Sequence, residues 1–436
     1  MRFDLRQTVR RKGATALLGC FVVAAGLIAP ALAATRATSN FPLDPSLSLK
    51  RVRVSNGPEE IRILTLSPGA VPDIAPATQQ YPMWSLTSTM SSNAGAVAGV
   101  NGDFGTGKGQ PVHTLMIDGE LWTTGQAGGR AVAWSSDGTQ AYIGNPVLRI
   151  HATVGAGSPF NIQEWNAHAP TATTIAAYTS RGGTVTRPPG KASPKSTDPR
   201  YCAARLVPAR AIAWNGPSRV SLVRRYTVEA QPEPCPRTPL AVGSKSGAVV
   251  VATKFVSSIP NRVMALTVGG AVKLSWTFEG WPGVTDVMGG QQLLVDRGVN
   301  VALDYTPGAA YVLNYNPRTS VGIAKGCSDT DGSTVCRMFL ITIDGRQSST
   351  NWSRGVRLPF LANEQLRAGA WMALNLDGGG STSMWVRKKD PAYCQSSPSV
   401  GGCLAQRPSP KAGERATRTA LIVLPSADGG TPLGLR

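Results

Sequence analysis

The sequence lacks the signatures of several common enzyme classes. It has no Walker A loop, no GxSxG, no HExxH and no GxGxxG after a strand. These absences exclude the usual ATPase, α/β-hydrolase, zincin and dinucleotide-binding sites. The chain has only three histidines, which lie far from the cysteines, and no CxxC pair, so a zinc site is not favoured. It also has no fixed-period repeat, which argues against solenoids and propellers.

Acidic residues are few compared with basic ones, 25 against 44, which gives a net charge of +19. The basic residues are scattered, without an arginine-rich helix or interleaved aromatic residues, so nucleic acid is not expected as a partner. A polyanionic glycan or an anionic cell envelope suits this charge better. Nothing in the sequence requires a cofactor, and a divalent metal stays open.

Residues 1–33 are predicted to be a signal peptide. A positive region from Arg2 to Lys12 precedes the apolar run 14–30, and Ala31-Leu32-Ala33 forms a small-x-small cleavage site. No charged stop-transfer cluster follows, so we expect no stable membrane span after cleavage and a secreted protein, with envelope association open. Cleavage removes five basic residues and one acidic residue and leaves a net charge of +15.

Six of the seven cysteines remain once Cys20 is removed. An even number of cysteines in an exported chain indicates disulfides, although six cysteines allow 15 pairings. Short local loops favour pairing between neighbours in the sequence. The predicted pairs are Cys202–Cys235, Cys327–Cys336 and Cys394–Cys403.

High counts of glycine (48) and proline (33) favour short strands and many turns over long helices. We therefore predict an α+β, sheet-dominated fold, with short strands that end in polar Gly-rich loops and few helices. The predicted organisation is 34–89 as N-terminal strands and lead-in, 90–425 as the catalytic domain, 155–280 as a β-rich subdomain with an exposed Pro/Gly-rich loop, and 426–436 as a tail.

Apolar patterns and turn signals place the individual elements. Helices are predicted over 81–93 and 359–368, and hairpins around Asp118-Gly119 and Asp137-Gly138. Strands are predicted over 51–54, 61–66, 96–100, 220–228, 248–256, 263–278, 338–344, 373–376, 384–386 and 419–424. Four apolar strands end in glycine beside aspartate or asparagine, and their tips could converge on one pocket: VAGVNGD, VMGG, ITIDGR and LNLDGGGST.

The segment from Asp377 to Thr382, DGGGST, is the sharpest candidate. Ordering three consecutive glycines after a buried strand is entropically costly, and it is useful where a ligand must approach the backbone closely. Consecutive N–H groups and two hydroxyls could then hold a phosphate, with the Asp377 carboxylate beside them. The alternative is a flexible surface loop, because Gly-rich turns are common.

Asn101-Gly102-Asp103 is a second candidate, with an Asx turn as its alternative. Asp103 and Asp377 could flank a scissile glycosidic bond as two carboxylates. Arg318 suits bidentate phosphate recognition, although a surface arginine is the alternative. His113 could be a proton donor or a ligand, or simply a packed histidine.

Six segments in this order resemble the phosphodiester glycosidase family: VAGVNGDF, GGQQLLVDRG, NPRTSVGIAKG, LITIDGRQ, ALNLDGGGSTSMWV and GERATRTALIV. The resemblance covers roughly residues 90–425 and implies hydrolysis of a glycosyl phosphodiester to a free sugar and a phosphomonoester. The site residues that it implies are Asn101, Gly102, Asp103, Arg318, Thr319, Asp344, Arg346, Asp377, Gly378, Gly379, Gly380, Ser381, Thr382, Glu414 and Arg415. The 155–245 segment and the Cys327–Cys336 loop depart from the family and leave the particular substrate open.

Two alternative functions stay open at this point. One is a metal-dependent phosphodiesterase that cuts the P–O bond, and its ligands would be Asp103, Asp344, Asp377 and His113. The other is a non-catalytic envelope glycan-binding protein, in which tryptophans and the basic surface hold the polymer.

Overall fold

The computed structural model describes residues 35–55, 57–125, 129–168, 173–182, 201–209, 223–230, 247–253, 259–303, 310–328, 336–395 and 400–426. The predicted signal peptide, the Pro/Gly-rich loop over 184–200, Cys235 and the tail beyond Ser426 lie outside these residues. Within the described part of the chain, no helix is long and apolar enough to cross a membrane.

Short strands dominate the N-terminal half of the chain. In chain order they are β1 (Arg36–Asp44), β2 (Leu47–Val54), β3 (Glu59–Leu66), β4 (Val71–Pro76), β5 (Ala98–Asn101), β6 (Leu115–Ile117), β7 (Glu120–Thr123), β8 (Arg130–Trp134), β9 (Ala141–Gly144), β10 (Val147–Val154), β11 (Phe160–Ile162), β12 (Glu164–Trp165) and β13 (Ile175–Thr179). The predicted turn between β6 and β7 is confirmed, since Asp118 and Gly119 both have positive φ, 49° and 71°, as a type I′ turn requires. The hairpin of β8 and β9 around Asp137-Gly138 is confirmed as well.

The C-terminal half continues in the same style. Its strands are β14 (Tyr201–Pro208), β15 (Val223–Ala230), β16 (Ala248–Thr253), β17 (Ala271–Glu279), β18 (Asp286–Gly290), β19 (Leu293–Asp296), β20 (Val299–Asn300), β21 (Arg318–Ile323), β22 (Met338–Ile343), β23 (Met372–Asn375), β24 (Met384–Val386), β25 (Cys403–Leu404) and β26 (Thr419–Leu424). The helices are α1 (Thr87–Asn93), α2 (Ile259–Met264), α3 (Ala310–Leu313) and α4 (Leu358–Ala368). The predicted helix over 359–368 is confirmed as α4, which ends at Gly369 with a φ of 105°, a conformation that favours glycine.

The predicted helix over 81–93 is too long, because only α1 is helical. Pro82 has no amide donor and disfavours helical geometry in the residue before it. Ser85 forms a β-bridge with Thr417 instead of entering the helix. The predicted strand over 263–278 is also corrected: its first residues belong to α2, and the strand begins at Ala271.

The strands form four sheets. Two have eight strands, in the orders β1-β2-β3-β22-β21-β23-β19-β20 and β11-β10-β17-β15-β14-β16-β13-β12. Two have five strands, in the orders β7-β6-β18-β8-β9 and β25-β24-β5-β26-β4. This architecture confirms the sheet-dominated fold with few helices.

The central strands of the first sheet are buried on both faces. In β3, Ile61 and Ile63 pack in a cluster with residues of α4. Leu64 and Leu66 belong to the main core, which the two five-stranded sheets share. Alternate residues of β3 therefore point to two different buried faces, and neither face of this strand is turned to solvent.

All strands of the second eight-stranded sheet come from Val147 to Glu279. That sheet has a hydrophobic cluster that includes Trp165 and Trp276, whose ring centroids are 5.6 Å apart. The predicted domain boundaries themselves stay predictions.

Two of the three predicted disulfides are confirmed, Cys327–Cys336 and Cys394–Cys403. The third, Cys202–Cys235, falls on a residue outside the described part of the chain.

Two sheet edges meet and bring the sequence motifs together. In the first sheet, Arg318 pairs with Ile343, and Ser320 with Asn375, so β21 begins where β22 and β23 end. In the β25-β24-β5-β26-β4 sheet, β5 ends at Asn101 beside the first residues of β24 and β26. The candidate site is built where these strand ends face each other.

Candidate active site

Asn101 joins the loops that the motifs predict. Its side-chain N–H donates to the backbone oxygen of Asp377 at 2.7 Å. Its Oδ1 accepts hydrogen bonds from the Thr319 hydroxyl at 2.7 Å and the Ser383 amide at 3.0 Å. The Asp377 amide donates to the Gly102 carbonyl at 3.2 Å. Because these groups are buried and paired, the loops at residues 101–103 and 377–383 hold one another in fixed positions.

Asp377 is a carboxylate with access to solvent, and its side chain is 15% exposed. Its Oδ1 accepts the Gly378 amide at 2.8 Å, and its Oδ2 lies 3.7 Å from the Arg415 guanidinium. Burial raises the pKa of Asp377, while the Ser381 hydroxyl and Arg415 act in the opposite direction. A positioned carboxylate whose pKa is shifted towards neutrality is suited to act as a base or a nucleophile.

The DGGGST loop closes on itself in a 3₁₀ turn over Gly379–Ser381. Gly379 has a φ of 61°, which favours glycine, and a Cβ on Gly380 would lie 3.2 Å from the Arg415 guanidinium. The loop residues that are buried are Gly378, Gly380, Ser381 and Thr382. Several amides of this loop donate to its own oxygens. The loop therefore places Asp377 and the Ser381 hydroxyl, and the predicted phosphate nest is largely occupied by its own hydrogen bonds.

Asp103 and His113 form a buried pair beside the loop. Oδ1 of Asp103 accepts hydrogen bonds from Nδ1 of His113 and the amide of Phe104, both at 2.7 Å, and Oδ2 accepts the His113 amide at 3.0 Å. Burial disfavours the charged imidazole, but the bond to Asp103 outweighs it, so the pKa of His113 is raised. A Cβ on Gly289 would lie 2.1 Å from the His113 Cβ. Only glycine at this position of β18 therefore leaves room for the His113 side chain that bonds to Asp103.

Arg418 is a cation that sequence reasoning did not select. Its guanidinium lies 3.6 Å from the ring centroid of Trp84 and donates to the Thr106 carbonyl. Burial lowers the pKa of Arg418, and the charges of Asp377 and Asp103 oppose that shift. Trp84 is 45% exposed. Arg418 therefore lies within electrostatic range of both carboxylates, with an aromatic ring at its side.

The predicted phosphate ligand Arg318 is buried at 0% exposure. Its Nε donates to the Val356 carbonyl at 3.2 Å, and its Nη2 donates to the Asn314 carbonyl at 3.0 Å. These bonds direct the guanidinium into the protein, where it supports the start of β21 and the adjoining loop. A phosphate at the DGGGST loop would meet other arginines first.

Arg346 and Arg415 are the exposed arginines at this loop. Arg346 donates to Oδ1 of Asn316 at 2.9 Å and lies 3.0 Å from the position of a Cβ on Gly379. Arg415 donates to the Ser381 hydroxyl. The DGR motif (residues 344–346) therefore brings a cation to Gly379, and the GER motif (residues 413–415) brings one to Gly380 and Ser381.

Glu414 and Asp344 have supporting positions. Glu414 accepts hydrogen bonds from the amide and hydroxyl of Ser88 in α1 at 3.0 and 2.6 Å, and from the Ser383 hydroxyl at 2.7 Å. Asp344 accepts the indole N–H of Trp352 at 2.7 Å and the amide of Arg407 at 3.2 Å. Burial raises the pKa of Asp344 to about 6. Both carboxylates fix neighbouring loops.

We define the strand-tip site as Asp103, His113, Asp377, Arg415 and Arg418. The acidic cluster is a separate group, Asp73, Asp118 and Asp286, whose carboxylate oxygens lie within 4.8 Å of one another. Among the described residues, it is the one group of three or more His, Cys, Asp or Glu residues whose ligand atoms come this close. The ligand set of the metal-dependent alternative does not come together in this way.

Sequence reasoning missed three contributors to the site. Gly289 lies in the VMGG strand tip, but its role depends on a contact with His113 that sequence spacing does not reveal. Arg418 directly precedes β26, and Trp84 lies in a segment predicted to be helical. Arg418 could have been selected from the sequence, because it is a charged residue next to a predicted strand within the GERATRTALIV segment.

Comparison with solved structures supports the fold. A hypothetical protein from Synechocystis aligns with a TM-score of 0.59 and 17% identity over 89% of this chain and 63% of its own length. This chain thus spans less than two thirds of that protein. A protein from Burkholderia pseudomallei that is described as exported aligns with a TM-score of 0.58 and 17% identity, over 90% of this chain and 97% of its own length.

The zebrafish N-acetylglucosamine-1-phosphodiester α-N-acetylglucosaminidase catalytic domain aligns with a TM-score of 0.41 and 13% identity, over 89% of this chain and 83% of its own. At that level of similarity, individual residues cannot be compared. No curated protein matches the chain. The model of the phosphodiester glycosidase family matches residues 228–424, a range that includes the PRT, DGR, DGGGST and GER motifs but not Asp103. Over this range, the resemblance of the chain to the phosphodiester glycosidase family is therefore confirmed.

Proposed function

We propose that this protein is an exported phosphodiester glycosidase that hydrolyses the sugar C1–O bond of a glycosyl phosphodiester. The products are a free sugar and a phosphomonoester. The observation that carries the proposal is the meeting of Asp377, Arg415 and the Ser381 hydroxyl at one loop, with the buried Asp103–His113 pair behind it. The family match over 228–424 supports the same class of reaction.

Asp377 faces the sugar in this proposal. Its ionised carboxylate either accepts a proton from the water that attacks C1, or attacks C1 itself and forms a glycosyl ester that water then hydrolyses at C1. In both cases the C1–O bond breaks and its electron pair leaves with the phosphate. A phosphomonoester is a good leaving group, so stabilising its charge matters more than strong general-acid help. The carboxylate also stabilises the oxocarbenium-like carbon of the transition state.

Arg415 and Arg418 supply the positive charge for the phosphate. Arg415 is exposed and has a donor group beyond its contacts with Asp377 and Ser381. The exposed end of an arginine guanidinium can donate hydrogen bonds to two phosphate oxygens. We assign Arg318 to holding the loop, because its guanidinium is directed at backbone carbonyls.

The substrate class is a phosphate-linked glycan of a cell envelope or capsule. Export is supported by the predicted signal peptide and by the two disulfides, which are typical of oxidising compartments. The net charge of +15 that remains after removal of the predicted signal peptide supports an anionic substrate.

The test is hydrolysis of a methyl phosphodiester of N-acetylglucosamine-1-phosphate and of related sugars, with and without EDTA. The proposal predicts free sugar and methyl phosphate at the same rate in both conditions. Sugar-1-phosphate as the product, lost with EDTA, would establish the metal-dependent phosphodiesterase instead. Tight glycan binding without turnover on any sugar would establish a binding protein.

A further inference from the structure

A second cationic region borders the DGGGST loop on the side of the DGR motif. We define the arginine surface as Arg53, Arg346, Arg354, Arg357 and Arg407. Four of these side chains are exposed, and Arg53 is half-buried. They come from four separate parts of the sequence, so no charge run in the sequence predicts their meeting.

Part of the surface is organised around Tyr315, which is 39% exposed. The guanidinium carbons of Arg354 and Arg357 lie 3.8 and 4.8 Å from the centroid of its ring. The next residue, Asn316, holds Arg346 through its side-chain oxygen. Three guanidinium groups are therefore fixed around one short turn, and each keeps donors that can contact an anion.

The other part is organised around Trp352. The guanidinium carbons of Arg53 and Arg407 lie 5.5 and 5.8 Å from the centroid of its ring. The indole N–H is held by Asp344, and the amide of Arg407 donates to the same carboxylate. The DGR motif thus connects the two parts.

Acidic groups do not balance this charge. Glu60 pairs with Arg53 at 2.8 Å but also with two other arginines. Glu59 lies 3.8 Å from Arg354, and burial raises the pKa of Glu59 to about 8, so it is largely neutral at pH 7. Of the five members of the arginine surface, Arg346, Arg357 and Arg407 form no ion pair with a described residue. Neighbouring like charges without counter-charges favour the binding of an anion.

We propose that the arginine surface binds a polyanionic glycan chain that continues from the aglycone side of the scissile phosphodiester. The inference rests on the proposed function, because Arg346 connects the surface to the DGGGST loop at Gly379. The proposed ligand carries repeated phosphate or carboxylate groups, which match the fork geometry of arginine. The aromatic rings hold the guanidinium groups in place, so less side-chain entropy is lost on binding.

The test uses labelled inorganic polyphosphate as the probe and three full-length proteins. The surface variant combines Arg53→Gln, Arg354→Gln and Arg357→Gln and leaves Arg346 in place. The matched control combines Arg149→Gln, Lys273→Gln and Arg297→Gln, which remove three exposed cations elsewhere. Circular dichroism establishes that all three proteins are folded. Binding is measured by fluorescence anisotropy at two salt concentrations, and turnover is measured on the methyl phosphodiester.

We expect the surface variant to bind polyphosphate at least about tenfold more weakly and with a smaller salt dependence. The control should change less than twofold, and both should turn over the small substrate at the wild-type rate. Equal weakening in the two variants, or tighter binding of double-stranded DNA than of polyphosphate, would overturn the inference. If no protein hydrolyses the small substrate, the proposed function fails, while the binding data still decide whether the surface exists.

Discussion

The two ends of strands β6 and β18 carry buried carboxylates in opposite electrical surroundings. At one end lies the acidic cluster, in which burial raises the pKa of each carboxyl and the neighbouring charges are those of other acids. At the other end lies the strand-tip site. There His113 precedes β6, and Gly289 lies near the end of β18. There Asp103 and Asp377 also repel each other, but Arg415 and the Ser381 hydroxyl oppose the shift at Asp377, and Asp103 is bonded to His113.

This difference shows that a raised carboxyl pKa does not by itself mark a catalytic site. Burial produces such a shift at both ends. What distinguishes the strand-tip site is the presence of groups that can stabilise a developing negative charge on a leaving group. Activity should therefore depend on one end of the strands, and the pH dependence of stability should depend largely on the other.

The largest expected effect comes from Asp377→Asn. Removing the carboxylate charge while keeping the shape should lower kcat by at least about 1000-fold. Asp118→Asn is the matched control, because it also removes a carboxylate whose pKa is raised by burial, and it should retain turnover within about twofold. Steady-state hydrolysis of the methyl phosphodiester measures both. Near-normal turnover by folded Asp377→Asn protein would remove Asp377 from the mechanism.

Arg415→Ala should have the next largest effect, lowering kcat/KM by about 100-fold, since a cation near the leaving phosphate is lost. Arg415 also opposes the rise in the pKa of Asp377. Its removal should therefore raise that pKa further and move the acid limb of the pH–rate profile to higher pH. Arg149→Ala is the control for a lost exposed arginine. A limb that stays in place would show that Asp377 is not the titrating group.

Gly289→Ala should lower both activity and stability. The added Cβ would lie 2.1 Å from the His113 Cβ and 3.0 Å from Oδ2 of Asp103, so the pair must shift. We expect about a tenfold loss in kcat and a loss of about 1–3 kcal/mol in unfolding free energy. Gly144→Ala is the control, because its Cβ would meet Trp281 at an ordinary 3.5 Å. Urea unfolding and kinetics on both variants make the comparison, and equal behaviour would contradict the packing argument.

Asp286→Asn should affect activity least and should change the pH dependence of stability. The pKa of Asp286 is raised by burial and by Asp73, whose own pKa is about 7, against about 3.9 in an unfolded chain. The native state then keeps protons that the unfolded state releases, so the stability that these carboxyls contribute is full below about pH 3.9 and is lost as pH rises through their raised native pKa values. Since asparagine does not ionise, the variant should be measurably more stable than the wild type at pH 8, with little gain at pH 4. A gain of the same size at both pH values would contradict this assignment.

Much of the fold could be predicted from local patterns. The strand Thr419–Leu424 is apolar after its first residue and forms β26 with the predicted bounds, and the Asp118-Gly119 turn follows from its residue types. The helix over 81–93 was overextended because periodicity outweighed the effect of Pro82. Helix α2 was missed because a short apolar run, here Val263-Met264-Ala265-Leu266, does not distinguish a strand from a helix.

The site was predictable as a set of strand tips but not as a geometry. Asp103, Asp377 and Arg415 lie in motifs, and the structure brings them together through Asn101. The burial of Arg318 and the contact between Gly289 and His113 depend on how two sheets face each other. Such long-range packing has no local sequence signal.

The most direct test of C1–O cleavage at the strand-tip site is hydrolysis of the methyl phosphodiester of N-acetylglucosamine-1-phosphate in ¹⁸O-labelled water, followed by mass spectrometry of both products. The proposed mechanism predicts one ¹⁸O atom in the free sugar and none in methyl phosphate. Label in the phosphate product would mean attack at phosphorus, and it would contradict the assignment of Asp377 to the anomeric carbon.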